Sequence, residues 1–405
     1  MTAPRALRRA RAAAALVAAL LLVQPASTAR ADEIRDRQWS LDTIGAREAW
    51  KTTKGAGVTV AVLDTGVDAE HRDLRGAVLE GKDAVGFGAR RGDRTWARHG
   101  TAMAGIIAAR GHGPGGGDGV IGIAPEAQIL PVRVLLEDED PQRRRARATR
   151  GGALAEGIRW AVDQGADVIN LSLGDDSASA HPDPKEDAAV RYALRKGAVV
   201  VASAGNGGEK GDRVSYPAAY PGVIAVTAVD RNGARASFST RRWYATVSAP
   251  GKDIVIADPD GSYYKGWGTS AAAAAVSGVA ALVRSAYPEL SPAQVKRLLA
   301  DTARNTPAGG RNDALGTGVV DAAAAIEVGA TVRPTPHHAS PEPYPEEFFG
   351  GGPVASATPA GWLAPTAGVL GALFVGGAVV LYRTAGRRRG PEDAPEHGAT
   401  APPPV

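Results

Sequence analysis

The stretch VTVAVLDTGVD, residues 58–68, is a short apolar run that ends at an aspartate and a glycine-containing turn. Further continuous apolar runs cover 128–135, 166–171, 198–202 and 223–229. Runs of this length without polar alternation are typical of strands covered on both faces. Between them, apolar residues recur at helical spacing in 99–110, 152–164 and 186–196. The alternation predicts an α/β fold with a doubly wound, mostly parallel sheet and helices on both faces.

Four polar residues stand where a ligand of such a sheet would bind, beyond the carboxyl ends of the strands or at a following helix. Asp64 ends the first run, and Asn206 follows VVVASAG. His99 opens the helical segment HGTAMAGIIAAR, and Ser270 lies between Gly-Thr and five alanines in GWGTSAAAAAVSG, residues 266–278. Taken singly, each has an ordinary explanation. The aspartate and the asparagine are common in turns, the histidine can be a cap or a surface residue, and serine often begins a helix.

Together the four residues match the needs of serine catalysis. Attack on a peptide carbonyl requires an imidazole to accept the hydroxyl proton and a buried carboxylate to orient that imidazole. It also requires donors aimed at the developing oxyanion. Ser270 can be the attacking serine, His99 the imidazole that accepts its proton and Asp64 the carboxylate that orients the imidazole. Asn206 and the backbone N–H of Ser270 can supply the oxyanion donors.

Several blocks of the chain resemble, in order and spacing, the signature blocks of the subtilisin-like serine proteases. These blocks are 60–68, 99–108, 168–174, 199–206 and 268–278, within a resemblance that spans about 38–328. The resemblance implies that Asp64 orients His99, that His99 is general base and then acid, that Ser270 is the nucleophile and that Asn206 is an oxyanion donor. It further implies two edge segments against which an extended peptide lies. They are Ser172-Leu173-Gly174 and Ser203-Ala204-Gly205.

The two ends of the chain predict export and anchoring. Residues 1–31 resemble a secretory signal peptide, with an arginine-rich start, an apolar run and the cleavage site Ala29-Arg30-Ala31. Trp362–Tyr382 holds no charged residue and is long enough for one transmembrane helix. Arginines follow it at once, so the positive-inside rule predicts a cytoplasmic tail over 383–405. A peptidase domain over 32–330 and a proline-rich linker over 331–361 would then lie outside the cell membrane.

This arrangement, together with the segment 34–68, resembles the mycosins, membrane-anchored subtilases associated with type VII secretion. The resemblance implies two kinds of partner, the type VII membrane complex and its secreted substrates. Three interpretations stay open at this point. The first is a membrane-tethered serine endopeptidase, the second a structural subunit of the secretion complex with dispensable catalysis, and the third a general cell-surface protease.

Composition excludes other classes of function. The net charge of +4 falls to −1 without residues 1–31, which carry five arginines and no acid, so nothing indicates nucleic-acid binding. The chain has no cysteine, and therefore no disulfide can hold its loops. Asp73 matches a calcium ligand of some subtilisins, but the loop GHGPGGGDG (111–119) lacks the expected partner ligands. We predict no calcium at that position. The sequence indicates no cofactor, and a metal site elsewhere stays open at this point.

Three features depart from the subtilase pattern or interrupt it. Arg98 stands where these families commonly have glycine, which is expected to alter the rim of the cleft. Ala274 stands where proline is usual, which predicts a more regular first helical turn, a displaced Ser270 hydroxyl and slow, restricted cleavage. The alternative is that the small residues 271–273 let the helix shift and keep the serine in place. The segment EDEDPQRRRARATR, residues 137–150, is expected to form an exposed loop that proteases nick first.

Overall fold

The structure is a computed structural model that describes residues 33–177 and 179–335. A parallel sheet forms the centre of this part of the chain. In that part of the chain the sheet has seven strands in the order β2-β5-β1-β6-β7-β8-β9, and every neighbouring pair is parallel. The strands are β1 (Thr59–Asp64), β2 (Lys82–Asp83), β5 (Gln128–Arg133), β6 (Val168–Leu171), β7 (Val199–Ser203), β8 (Ile224–Val229) and β9 (Ala245–Pro250). Strands β6 to β9 are buried along their whole length, and for β6, β7 and β8 this explains why the predicted runs are continuously apolar.

Two antiparallel hairpins stand outside this sheet, one formed by β3 (Arg110–His112) and β4 (Asp118–Ile121) and the other by β10 (Ile254–Ala257) and β11 (Tyr263–Gly266). The longer helices are α4 (Arg98–Ala108), α6 (Ala153–Asp163), α7 (Pro184–Arg195), α8 (Thr269–Ala286) and α9 (Pro292–Asp301). The shorter helices are α1 (Glu33–Asp36), α2 (Trp39–Thr43), α3 (Ala46–Ala49), α5 (Arg143–Thr149) and α10 (Ala322–Gly329). Two separate hydrophobic clusters contain opposite side chains of the same strands, such as Val60 and Ala61 of β1. The helices therefore cover both faces of the sheet, and the predicted α/β fold is confirmed.

Helix α8 packs in the core, and its alanines permit close approach. Ala272, Ala273 and Ala274 are completely buried, and a Cβ at Gly278 would lie 2.5 Å from Ile123. Among the described residues α8 is also the one helix long and apolar enough to cross a membrane, but 83% of it is buried inside the protein. Its apolar character is therefore explained by the core.

The segment 137–150 differs from the exposed loop expected of it. Glu137 and Asp140 are buried, and 143–149 form helix α5, which packs Ala146 against Val85 and Leu136. Arg144, Arg145 and Arg147 of α5 are exposed, whereas Arg143 is half-buried, so the expectation of early nicking stays a prediction for that half. The predicted signal peptide, transmembrane helix, cytoplasmic tail and most of the linker lie outside the described residues.

Candidate active site

The carboxyl end of β1 brings a buried acid to a histidine. Asp64 is the last residue of β1 and is completely buried, and His99 is the second residue of α4. Nδ1 of His99 lies 2.8 Å from Oδ1 and 2.9 Å from Oδ2 of Asp64. An ionised carboxylate only accepts, so this network assigns the proton to Nδ1 and leaves Nε2 as the basic nitrogen. The Thr65 N–H donates to Asp64 Oδ1 at 2.7 Å and holds the carboxylate in place.

A glycine makes this approach of helix to strand possible. A Cβ added at Gly100 would lie 1.9 Å from the carbonyl oxygen of Gly66 and 3.2 Å from Cβ of Asp64. The Gly100 N–H also donates to the Thr65 hydroxyl at 3.1 Å. The sequence His-Gly therefore places the imidazole because its second residue has no side chain.

The environment of His99 changes its affinity for a proton. Burial lowers the pKa of His99, the charge and hydrogen bond of Asp64 raise it, and Glu137 and Asp138 raise it further, so the net pKa lies above the ordinary value. The imidazole consequently holds its proton more tightly than a free histidine. The unprotonated base becomes abundant only as the pH rises through this raised pKa.

Ser270 is the second residue of α8 and faces the same cleft as His99. The Ser270 hydroxyl donates to the carbonyl oxygen of Ser172 at 3.0 Å, while the Ser172 hydroxyl donates to the carbonyl oxygen of Ser270 at 2.9 Å. Within the described residues no hydrogen bond joins Ser270 to His99. The hydroxyl must therefore rotate away from Ser172 before its proton can pass to the imidazole.

The side-chain amide of Asn206 is held beside the start of α8. Its Oδ1 accepts from the backbone N–H of Thr269 at 2.9 Å and from the Thr269 hydroxyl at 3.0 Å. Its Nδ2 lies close to Ser270, since a Cβ added at Gly268 would be 3.8 Å from Asn206 Nδ2 and 3.6 Å from the Ser270 backbone nitrogen. Asn206 Nδ2 and the backbone N–H of Ser270 are thus suited to stabilise an oxyanion between them.

The two predicted peptide-binding segments lie next to each other but differ in exposure. The segment 172–174 follows β6, and the segment 203–205 begins at the last residue of the neighbouring strand β7. The Ser203 hydroxyl donates to the Leu173 carbonyl at 3.3 Å. Leu173 is half-buried and Gly174 is exposed, so the edge they form is open to a substrate. The other members, Ser172, Ser203, Ala204 and Gly205, are buried in this structure. These four residues are therefore covered by the protein and do not form part of the exposed edge.

Two residues of the site were not predicted from the sequence. Thr269 lies within a signature block, but its type and position indicate no role of their own; in the structure it anchors Asn206. Asn170 is completely buried in β6. Its Nδ2 donates to the Ser172 hydroxyl at 3.0 Å, and its Oδ1 accepts from the hydroxyl of Ser277 in α8 at 3.0 Å. An asparagine inside the apolar run VINLSLG was the available signal, because a polar residue in a buried strand requires partners.

Arg98 lies on the rim of the cleft and joins two elements. Its guanidinium pairs with the buried carboxylate of Asp258 and lies 5.8 Å from the ring centre of Tyr264. It thereby ties the start of α4 to the β10–β11 hairpin. Beyond that hairpin Trp267 is 65% exposed and packs on Phe238, which gives the cleft an aromatic edge.

Metal-binding groups are not evident in the part of the chain that the structure describes. Those residues contain no group of three or more histidine and acidic side chains that could hold a metal ion. Asp73, for which the sequence predicts no calcium, has protein partners on both oxygens. His112 Nδ1 lies 2.6 Å from Oδ1, and Oδ2 accepts from the Tyr263 hydroxyl at 2.7 Å and the Val120 N–H at 3.0 Å.

Comparison with known proteins agrees with this geometry. The family model described as Peptidase_S8, Subtilase family, matches residues 55–318. Subtilisin DY from Bacillus licheniformis is 38% identical over 68% of this chain and 92% of its own length. Mycosin-1 from Mycobacterium tuberculosis is 35% identical over 72% of this chain and 73% of its own length. The crystal structure of MycP1 from the ESX-1 type VII secretion system has a TM-score of 0.62 at 31% identity, covering 76% of this chain and 89% of that one.

Proposed function

Because the chain belongs to the subtilase family of serine endopeptidases, we propose that it cleaves peptide bonds with Asp64, His99 and Ser270 as its catalytic triad. The observation that carries the assignment is the contact of His99 Nδ1 with the buried carboxylate of Asp64, at 2.8 Å, on the cleft that Ser270 also lines. Burying the Asp64 carboxylate costs free energy, and orienting the base for serine catalysis is a function that explains why the pair is present.

The reaction follows from the roles of these side chains. The Ser270 hydroxyl turns from the Ser172 carbonyl to His99 Nε2, gives up its proton there and bonds to the substrate carbonyl carbon. The carbonyl oxygen becomes negative and accepts from Asn206 Nδ2 and the Ser270 N–H. The imidazolium, stabilised by Asp64, then donates its proton to the leaving amine as the C–N bond breaks. Water repeats the sequence on the acyl-enzyme and restores the Ser270 hydroxyl.

Extended peptides are the substrates that this cleft accommodates best. The open edge at Leu173 and Gly174 continues from β6, so a peptide can pair there through backbone hydrogen bonds. Backbone pairing holds any extended chain, whereas side-chain pockets select among them. The proposed substrate class is therefore an unfolded or extended segment of an exported protein.

A fluorophosphonate probe tests the triad directly. Ser270→Ala should abolish both labelling and peptide cleavage without loss of the fold, because alanine suits the start of an alanine-rich helix. Ser285→Ala is the matched control, since Ser285 lies on the same helix and bonds the Ala56 carbonyl away from the cleft. Wild-type cleavage by the Ser270→Ala protein would show that another residue is the nucleophile.

The proposal extends to the cell surface: the protease is anchored by Trp362–Tyr382 and acts with a type VII secretion complex. Its support is the similarity to Mycosin-1 and to MycP1 of the ESX-1 system, together with the uncharged segment and the arginines after it. Protease added to intact cells should leave only a fragment that contains 362–405. Recovery of the whole chain in the medium would show that the segment is no anchor.

Co-purification separates the remaining alternatives. A partner of the secretion complex should be recovered from detergent-solubilised membranes with that complex, whereas a general surface protease should be recovered alone. If secretion is normal in cells that carry Ser270→Ala but fails when the protein is absent, the role in the complex is structural and catalysis is dispensable.

A further inference from the structure

Glu137 is a buried carboxylate that the mechanism above does not use. It lies beyond the end of β5 and is 8% exposed, although it belongs to the acidic run 137–140. Its Oε1 accepts from the backbone N–H of His99 at 2.8 Å, and its carboxylate also bonds the side chain of Thr65. One acid therefore contacts both the residue that follows Asp64 and the residue that carries the base.

The start of α4 lacks the cap that a helix normally has. Ala97 occupies the N-cap position with φ of 53°, in the left-handed region, and its side chain cannot accept a hydrogen bond. The first N–H groups of a helix need outside partners. For Gly100 the partner is the Thr65 hydroxyl, and for His99 it is Glu137. A negative charge at this end of a helix is also favoured by the helix dipole.

Several charged groups share this environment. Asp64 and Asp138 act on His99 with the same sign as Glu137. The charge of Glu137 also interacts with the Arg143 and Arg98 guanidinium groups and with the Tyr264 phenol. Burial and the charge of Asp64 raise the pKa of Glu137, and its bonds to Thr65 and to the His99 N–H and the charge of His99 offset that rise only in part, so the net pKa lies above the ordinary value. Those bonds favour the carboxylate form in which Glu137 can affect the base.

We propose that Glu137 is a positioning residue for the general base: it fixes the backbone of His99 at the start of α4, and its charge strengthens the imidazole as a base. This rests on the function proposed above, in which His99 accepts the Ser270 proton. The two effects have different chemical requirements. Fixing the backbone needs only an acceptor oxygen, whereas strengthening the base needs a negative charge.

Two substitutions separate these effects. Glu137→Gln keeps an acceptor oxygen and removes the charge. It should move the acid limb of kcat/KM to lower pH by about one unit, which raises the unprotonated fraction of His99 on this limb about tenfold. A weaker base transfers protons less well, so the plateau at high pH should fall about threefold. Combined with the lower plateau, the shift should raise the activity on the acid limb about threefold. Glu137→Ala also removes the acceptor, and its plateau should fall by more than about tenfold because His99 is no longer held.

Glu139→Gln is the matched control because it removes an exposed acid two residues away. It should leave both the acid limb and the plateau within about twofold of wild type. The His99 ring titration is followed by NMR in the inert Ser270→Ala protein, which reads the effect of Glu137 without any catalysis. Cleavage by that protein would refute the triad, but the ring titration would still test Glu137.

Three results decide the proposal. If Glu137→Gln shifts the His99 titration no more than Glu139→Gln does, Glu137 does not strengthen the base. If Glu137→Ala keeps the wild-type plateau, Glu137 does not position it. Should circular dichroism show that Glu137→Ala is unfolded, Glu137→Gln decides alone. An acid limb at lower pH with a plateau about threefold lower supports the proposal, and an unchanged profile overturns it.

Discussion

Thr269→Val should weaken oxyanion stabilisation while preserving the shape of the site. The Thr269 hydroxyl donates to Asn206 Oδ1 at 3.0 Å and accepts from the Gly205 N–H at 3.3 Å, whereas the Thr269 backbone N–H makes a separate 2.9 Å bond to Asn206. Valine removes the first two and keeps the third. One lost bond that orients the amide is worth about 1–2 kcal/mol, a factor of about 5–30 in kcat. The ceiling is the loss of the whole donor, about 10²–10³, a figure known from subtilisin itself.

The assay is steady-state cleavage of a chromogenic peptide, with Thr269→Ser as the variant that keeps the hydroxyl. The buried Gly205 N–H also loses its partner in the valine variant, so the free energy of unfolding should fall by about 1–3 kcal/mol. A double-mutant cycle with Asn206→Ala isolates the catalytic effect. If valine lowers kcat as much in the Asn206→Ala background as in wild type, the hydroxyl does not act through the amide and the reasoning is refuted.

Four further predictions follow from the site. Asn206→Ala should lower kcat by about 10²–10³ with KM little changed, and an unchanged kcat would exclude it as a donor. Because protonated His99 cannot accept a proton and its pKa is raised, kcat/KM should rise with pH and reach half its maximum above about pH 6.5; full activity at about pH 5 would contradict this. Gly100→Ala should be unstable to urea, since its Cβ would lie 1.9 Å from a backbone oxygen, whereas Gly105→Ala, with 3.4 Å to its nearest neighbour, should fold normally. Ala274→Pro should increase the rate of fluorophosphonate labelling, and a fall or no change would refute a displaced nucleophile.

Much of the framework could be predicted because continuous apolar runs and helical spacing report burial directly. The predicted run 198–202 became β7, Val199–Ser203, with only a one-residue difference at each end. Strand β9 was missed, although it is buried throughout, because Ala245–Pro250 contains a threonine, a serine and a proline that weaken the apolar signal. Its position at the edge of the sheet tolerates that proline.

The parts of the site that could not be predicted depend on contacts between distant segments. Glu137 stands in a run of acids followed by arginines, which is typical of a solvated loop. It is buried because α4 has no cap of its own and the chain between β5 and α5 passes its first turn. Similarly, Thr269 anchors Asn206 across 63 positions of sequence. Local patterns identify which residues carry the chemistry, but the partners that orient them belong to the tertiary fold.

The resting contact of Ser270 bears on the prediction that this protease cleaves slowly. Its hydroxyl is bonded to the Ser172 carbonyl, and rotation to His99 exchanges that bond for one to the imidazole. The cost of leaving one such bond is about 1 kcal/mol, or about fivefold in rate, so the contact alone cannot make the enzyme inert. A shift of the Ser270 backbone by about 1 Å would instead cost about a hundredfold. Ala274→Pro removes the N–H of residue 274 and so changes the first helical turn. The Ser270 carbonyl oxygen still accepts from the Ser172 hydroxyl in that variant, so it is not left unpaired. A gain above about tenfold in that variant therefore indicates a displaced backbone, because hydroxyl rotation accounts for no more than about fivefold.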